Sequence, residues 1–181
     1  AAGAQGHGTV IVAEEQNAGR GRRGRDWSSP RGEGIFFSIL LRPDMNPANA
    51  SMLTLVKALA VAKGISKSTG LEPAIKWPND VVINGRKIVG ILTEMSAQID
   101  YVNHIVVGSG INVHQKNFPK ELAAKATSLD MEMSRLGKED RIYRAAVLAA
   151  VLEEFEKYYR TFMQTQDLSM LREEYNALLV N

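Results

Sequence analysis

The order of apolar and polar residues along the chain predicts several short strands, with helices between them and after them. β-Branched and apolar residues predict buried strands at Thr9–Ala13 and Gly34–Leu41. Further strands are predicted over residues 74–77, 81–83, 87–95 and 104–113. Asn84-Gly85 is expected to close a hairpin, because Asn-Gly favours the tight turn that joins two antiparallel strands.

Apolar residues at three- and four-residue spacing predict three helices. The first covers residues 49–68 and the second covers 138–164. The third is expected to begin at Asp167, a candidate N-cap, and to continue to Leu178. Hairpin-connected strands with helices on one side of the sheet predict an α+β fold.

Composition agrees with one folded domain. The chain has 181 residues, of which 45% are hydrophobic, and no cysteine. These values exclude a disordered chain, a disulfide framework and a cysteine-ligated zinc site. No apolar run approaches the ~20 residues needed to span a bilayer, and the first eight residues lack the basic and apolar regions of a signal peptide. We therefore expect a cytoplasmic protein with no membrane partner.

Positive charge is concentrated in one glycine-rich segment. Residues 19–32 read GRGRRGRDWSSPRG, with five arginines and one aspartate, a net charge of +4. The whole chain carries only +2, so the remainder is slightly acidic. Glycines allow the backbone to approach a ligand closely, and guanidinium groups bind phosphate or carboxylate. A basic loop that is merely solvated is the alternative.

Several common motifs fail on inspection. Residues 19–24 match G-x-G-x-x-G, but residues 26–32 form turns instead of opening a helix, so a dinucleotide-binding fold is not supported. Gly85 and Gly90 have P-loop spacing without the Lys-Ser/Thr pair, and Ser109 lacks the G-x-S-x-G context. A covalent enzyme intermediate is therefore not expected. No metal-ligand spacing connects the histidines, which are His7, His104 and His114.

Three further segments carry residues suited to phosphate chemistry. KWPND (76–80) presents Asn79 and Asp80 together, a pair suited to Mg²⁺ or to a nucleotide, or else an ordinary turn. Lys87 begins an apolar strand, either as a cation facing an anion or as an exposed strand end. The glycines of GSGIN (108–112) indicate close approach of a ligand or of another part of the backbone. Together with the glycine-arginine loop, these segments favour phosphoryl or nucleotidyl transfer.

These segments also resemble a known family. GRGRRGRDW (19–27), KWPND (76–80), GRKIVGIL (85–92) and GSGIN (108–112) are similar, in this order, to the catalytic domain of biotin–protein ligases, the biotin–[acetyl-CoA carboxylase] ligases. The resemblance implies a mixed, largely antiparallel sheet with helices packed on one side. It also implies activation of biotin with ATP to biotinyl-5′-AMP, followed by transfer of biotin to a lysine of a biotin carboxyl carrier protein.

The resemblance implies a role for each matching residue. Lys87, Arg22 and Arg25 would be catalytic, and Asp80 would bind Mg²⁺. The residues that would bind biotin are Gln16, Gly19, Arg20, Gly21, Arg22, Lys87, Gly90, Gly108 and Gly110. The residues that would bind ATP or the adenylate are Arg22, Arg25, Trp27, Asn79, Lys87 and Asn112.

The resemblance to the family is not complete. Residues 1–181 are expected to form a single catalytic domain that lacks the family's N-terminal Ser-Thr-Asn segment and its small C-terminal β-barrel domain. Its partner would be the carrier protein, a subunit of acetyl-CoA carboxylase. A homodimer is compatible with the family, and no nucleic-acid partner is expected for this chain.

Two other functions compete with this interpretation. Lipoate–protein ligases have a similar fold, but their RR-x₂-GGG-x-V loop is not in this sequence. A nucleic-acid-binding module could use the arginine loop, but such modules interleave several aromatic residues with basic ones, whereas this loop has only Trp27.

Overall fold

The computed structural model, which describes residues 6–24 and 26–180, has seven strands in one mixed sheet. The strand order is β1-β2-β6-β5-β4-β3-β7, and all neighbours are antiparallel except the β3–β7 pair. The strands are β1 (Thr9–Ala13), β2 (Gly34–Leu41), β3 (Ala74–Lys76), β4 (Asp80–Ile83), β5 (Arg86–Ala97), β6 (Val102–Asn112) and β7 (Leu179–Val180). The predicted α+β class, with its mixed and largely antiparallel sheet, is confirmed.

Four α-helices accompany the sheet in the described part of the chain. They are α1 (Leu53–Thr69), α2 (Leu129–Arg135), α3 (Arg144–Thr165) and α4 (Arg172–Leu178). A 3₁₀ turn at Pro47–Met52 leads into α1, and Asn46 caps it by accepting a hydrogen bond from the Ala48 N–H. Gly70 ends α1 in the left-handed conformation, with φ of 66°.

The chain departs from the predicted helix limits in two places. The helix predicted from residue 138 begins instead at Arg144. Residues 138–143 are not helical, and they follow Gly137, which has a left-handed φ of 66°. Asp167 does not cap a helix: its carboxylate accepts from the Ser169 N–H and closes a turn, and α4 begins at Arg172. Helix α2 was not predicted at all.

One face of the sheet supports the hydrophobic core. Alternate residues of β2 join this core, and their direct partners on β6 lie on the same face. Helices α1 and α3 pack closely against each other: a Cβ built on Gly64 would lie 2.6 Å from the Val151 Cα, so only glycine fits there. The opposite face of the sheet carries three glycines of β5 and β6, where Gly90 pairs with Gly110 and Leu92 pairs with Gly108.

Among the described residues, one helical stretch is long and apolar enough to cross a membrane by length and composition alone. This stretch is Pro47–Thr69, and 61% of its apolar window is buried inside the fold. Ten residues of α1, including Leu53, Leu59 and Ile65, are buried. Such burial is typical of a core helix.

Candidate functional site

The glycines of β5 and β6 form a flat surface that is occupied by the side chain of Trp27. A Cβ on Gly90 would lie 2.7 Å from the Trp27 Cζ3, and a Cβ on Gly110 would lie 2.6 Å from its Cε2. Any larger residue at either position would therefore displace the indole. The close approach that the strand glycines indicated is made here by a side chain of the same protein.

The glycine-arginine loop is fixed at its base. The backbone N–H of Trp27 donates to the Gly19 carbonyl at 2.9 Å, and Arg20 and Asp26 form an isolated β-bridge. The Ser29 hydroxyl donates to the Gln16 side-chain oxygen at 2.8 Å. Between these contacts, Arg22–Gly24 forms a 3₁₀ turn whose residues are exposed. Within this turn, Arg22 and Arg23 are exposed to solvent.

Lys87 and Asp80 form an ion pair at the same end of the sheet. The Lys87 Nζ lies 2.6 Å from the Asp80 Oδ1, and both side chains are about one third exposed or less, at 33% and 27%. Lys87 Nζ is also 5.2 Å from the centroid of the Trp27 ring. Strand register explains the pair, because Lys87 opposes Val82 across β4 and β5, and Asp80 lies two residues before Val82 on the same face of β4. Lys87 is thus a cation that already has a carboxylate partner in this chain.

A cavity of about 250 Å³ lies between the loop and the glycine surface. It contains most of the residues predicted for the site and opens to solvent. Of those predicted residues, the cavity is lined by Gln16, Arg20, Gly21, Arg22, Trp27, Asn79, Lys87, Gly90, Gly108 and Gly110.

Polar residues that sequence reasoning did not select also line this cavity. Ser38 of β2 and Glu94 of β5 face it, and Glu94 is 3.5 Å from the Arg20 guanidinium. Both are polar residues within apolar strands, on the side opposite the core. That interruption of the apolar pattern is the signal that could have found them. Asn79 is held by donating from Nδ2 to the Ile91 carbonyl at 3.0 Å.

Three of the predicted residues that the structure describes do not line the cavity. Gly19 lies at the base of the loop, and Asp80 reaches the site through its pairing with Lys87. Asn112 is 4% exposed and donates from Nδ2 to the Thr127 carbonyl at 3.1 Å. Arg25 lies outside the described residues. The roles assigned to all of the predicted site residues, whether or not they line the cavity, stay predictions.

The chain is similar to known proteins in both sequence and fold. Residues 3–112 match the family described as the biotin/lipoate A/B protein ligase family. The chain is 47% identical over 158 residues to the bifunctional ligase/repressor BirA of Bacillus subtilis, covering 86% of this chain and 47% of that protein. It is 39% identical over 133 residues to the biotin–[acetyl-CoA-carboxylase] ligase of Mycobacterium tuberculosis, covering 71% of this chain and 47% of that protein. The chain therefore spans about half the length of these relatives.

Solved structures give the same match across nearly the whole chain. The fold superposes with a TM-score of 0.81 on the biotin protein ligase from Aquifex aeolicus in complex with biotin and ATP, at 31% identity. This superposition covers 97% of this chain and 70% of that one.

Proposed function

The chain belongs to the biotin/lipoate A/B protein ligase family, and on that premise we propose that it activates biotin with ATP and transfers biotin to a lysine of a carrier protein. One observation carries the proposal: the glycine-arginine loop and Lys87 line the same cavity. Two relatives support the choice of substrates, since one is named biotin–[acetyl-CoA-carboxylase] ligase and another is described in complex with biotin and ATP. A biotin carboxyl carrier protein is the proposed acceptor, and the cytoplasm, where ATP is supplied, is the proposed location.

In the first proposed step, a carboxylate oxygen of biotin attacks the α-phosphorus of ATP, and pyrophosphate leaves. Both reactants are anions, so a cation must reduce their repulsion and stabilise the charge that develops on the α-phosphate. The Lys87 ammonium is suited to this role because it lines the cavity and is held by Asp80. Biotinyl-5′-AMP is the product of this step.

The residues beside Lys87 have side chains that fit a Mg²⁺ ion. Among the described residues, no group of three or more histidine and carboxylate side chains is placed to hold a metal ion. Protein ligands alone therefore do not form a metal site there. The Asp80 carboxylate and the side-chain oxygen of Asn79 supply two hard oxygen donors, and Mg²⁺ is typically held by one or two such donors plus phosphates. When bound, the ion would neutralise charge on the leaving pyrophosphate.

In the second proposed step, the ε-amine of the carrier lysine attacks the acyl carbon of biotinyl-5′-AMP, and AMP leaves. The mixed anhydride must be protected from water until the carrier docks. The exposed turn containing Arg22 is suited to close over it. The Trp27 indole rests on Gly90 and Gly110, so we expect it to lift and then pack over the ligand.

Residue roles in this proposal follow the resemblance. Lys87, Arg22 and Arg25 are proposed to be catalytic, and Asp80 to bind the metal. Biotin is assigned to Gln16, Gly19, Arg20, Gly21, Arg22, Lys87, Gly90, Gly108 and Gly110. The nucleotide is assigned to Arg22, Arg25, Trp27, Asn79, Lys87 and Asn112.

Biotin-dependent ATP–pyrophosphate exchange with Mg²⁺ tests the proposal directly. The assay isolates the first step and needs no carrier protein. We expect labelled pyrophosphate to enter ATP when biotin is present and not when lipoate replaces it. Exchange with lipoate alone would instead assign the chain to lipoate activation, and no exchange with either acid would remove the proposed function from this chain.

Arg22→Ala is expected to accelerate release of the adenylate while changing biotin binding much less. Arg22 lines the cavity and can bind the phosphate that only the adenylate carries. We expect roughly 10- to 100-fold faster release of biotinyl-5′-AMP, since a hydrogen bond to a charged group contributes about 1.5–3 kcal/mol. The measurements are the off-rate of labelled adenylate and the dissociation constant of biotin by calorimetry.

Arg23→Ala provides the matched control for this variant. Arg23 occupies the same exposed turn and has a φ of 60°, but it does not line the cavity. It should leave both constants unchanged. If Arg22→Ala weakened the binding of biotin and the binding of the adenylate equally, a selective contact with the phosphate would be ruled out.

A further inference from the structure

A buried carboxylate lies outside the cavity and is shared by four side chains. Glu132 of α2 is 1% exposed. It accepts from the Arg135 Nη1 at 2.6 Å, from the Arg86 Nη2 at 2.9 Å and from the Asn84 Nδ2 at 3.0 Å. It also accepts from the Thr127 hydroxyl. A buried charge is tolerated only when it is paired and hydrogen-bonded in this way.

Glu132 joins two segments that are distant in sequence. Asn84 and Arg86 belong to the β4–β5 hairpin, which leads directly into Lys87. Thr127 and Arg135 belong to the segment that contains α2. The carboxylate therefore fixes the position of this hairpin against α2, and it balances two guanidinium groups, one of which is the immediate neighbour of Lys87.

The backbone of Lys87 is bound to the same segment. The Lys87 N–H donates to the Lys125 carbonyl at 2.8 Å, and the Thr127 N–H donates to the Lys87 carbonyl at 2.9 Å. Thr127 is fully buried, and its own carbonyl accepts from Asn112. The peptide groups on both sides of the Lys87 Cα are thus held by residues 125–127, whose position depends on Thr127 and Glu132.

We propose that Glu132 is a positioning residue for Lys87, acting through Arg86, Asn84 and Thr127; this role rests on the function proposed above. Lys87 must present its ammonium to the α-phosphate with its backbone fixed, since a displacement of about 1 Å can cost about 100-fold in rate. Loss of the Glu132 charge also leaves Arg86 without its carboxylate and frees the hairpin to shift. Because Glu132 touches no part of the cavity, biotin binding should change little.

Glu132→Gln tests this role while keeping the size of the side chain. In pyrophosphate exchange we expect kcat to fall about tenfold and the KM for biotin to change by less than about twofold. Glu174→Gln is the matched control: the Glu174 carboxylate accepts from the Tyr158 hydroxyl at 2.6 Å between α3 and α4, away from the cavity. Glu174→Gln should leave kcat unchanged even if its thermal unfolding temperature falls as far as that of Glu132→Gln.

A wild-type kcat in folded Glu132→Gln would overturn the proposal, as would an equal loss of kcat in Glu174→Gln. If Glu132→Gln does not fold, Thr127→Val removes one of the four donors with little change in shape. A fall in kcat at constant KM would then support the proposal, and a wild-type kcat would overturn it.

Amide hydrogen exchange separates this proposal from the function on which it rests. Absence of pyrophosphate exchange in the wild-type chain would overturn the function alone. In that case, faster hydrogen exchange at the Lys87 amide in Glu132→Gln than in Glu174→Gln would still support the link between Glu132 and Lys87. Equal protection of that amide in the two variants would overturn the link.

Discussion

Lys87→Ala is expected to lower biotin-dependent pyrophosphate exchange by about 10²–10³-fold while leaving the chain folded. The Lys87 ammonium lies 2.6 Å from the Asp80 carboxylate and 5.2 Å from the centroid of the Trp27 ring, and the Lys87 backbone is held by residues 125 and 127. A preorganised charge of this kind stabilises developing negative charge without rearrangement. The side chain is not part of the core, so its removal should cost little free energy of unfolding.

Lys125→Ala is the matched control for this variant. Lys125 is exposed and contacts Lys87 through its backbone carbonyl, which the substitution leaves in place. It should retain wild-type exchange, and both variants should keep the circular dichroism spectrum of the parent. Near-wild-type exchange in Lys87→Ala would assign the charge stabilisation to the arginine loop, and an unfolded Lys87→Ala would make the ion pair with Asp80 structural.

The strands were predictable because their signals are local. β1 and β2 are rich in β-branched and aromatic residues, and Asn84-Gly85 closes its hairpin with φ values of 50° and 73°. Such turns are specified by the two residues that form them. The prediction that β1 is buried was wrong: β1 is an edge strand of the sheet, and Val10, Ile11 and Val12 are exposed. The order of the strands in the sheet depends on contacts between distant segments, such as the pairing of β2 with β6. Hairpin signals do not determine such pairings.

Helix α2 was missed because tertiary contacts stabilise it. It has seven residues, too few to be stable in isolation. Its local signals are weak: Ser128 caps it by accepting from the Met131 N–H, and Leu129 and Met133 are one turn apart. The contacts that hold it come from Asn84 and Arg86, more than 40 residues earlier. Periodicity within one segment carries no information about such partners.

The candidate site was predicted as a set of residue types and not as a geometry. The loop arginines, Asn79 and Lys87 were selected because their chemistry suits phosphate, and the structure brings them to one cavity. The pairing of Lys87 with Asp80 depends on strand register, and the contact of Trp27 with the two strand glycines depends on the path of a loop. Both are set by the packing of separate segments, which is why sequence reasoning left Lys87 without a partner.

The second large effect concerns stability: Lys57→Met is expected to raise the free energy of unfolding by about 1–3 kcal/mol at pH 7. Lys57 lies in α1 with a fully buried side chain, and its Nζ has no hydrogen-bond partner among the described residues. Its surroundings are the rings of Phe37 at 4.0 Å and Phe155 at 4.6 Å. Methionine keeps the length of the side chain and removes the buried polar group.

The gain should depend on pH in a defined direction. Burial lowers the pKa of Lys57 well below its ordinary value of 10.5, because desolvation disfavours the charged amine. Between the lowered pKa and 10.5, the unfolded chain binds a proton that the folded chain does not, so the stability contribution of Lys57 rises with pH. The advantage of Lys57→Met is therefore largest below this interval and shrinks as the pH approaches 10.5.

Urea unfolding of the wild type and Lys57→Met at pH 7 and pH 10 measures this difference. Lys63→Met, a partly buried position on the same helix, should change stability by the same small amount at both pH values. A gain in Lys57→Met that stays constant from pH 7 to pH 10 would mean that the folded chain keeps the amine protonated in this range. The two aromatic rings would then be holding a buried ammonium ion by cation–π attraction, and desolvation would not be the dominant influence on Lys57.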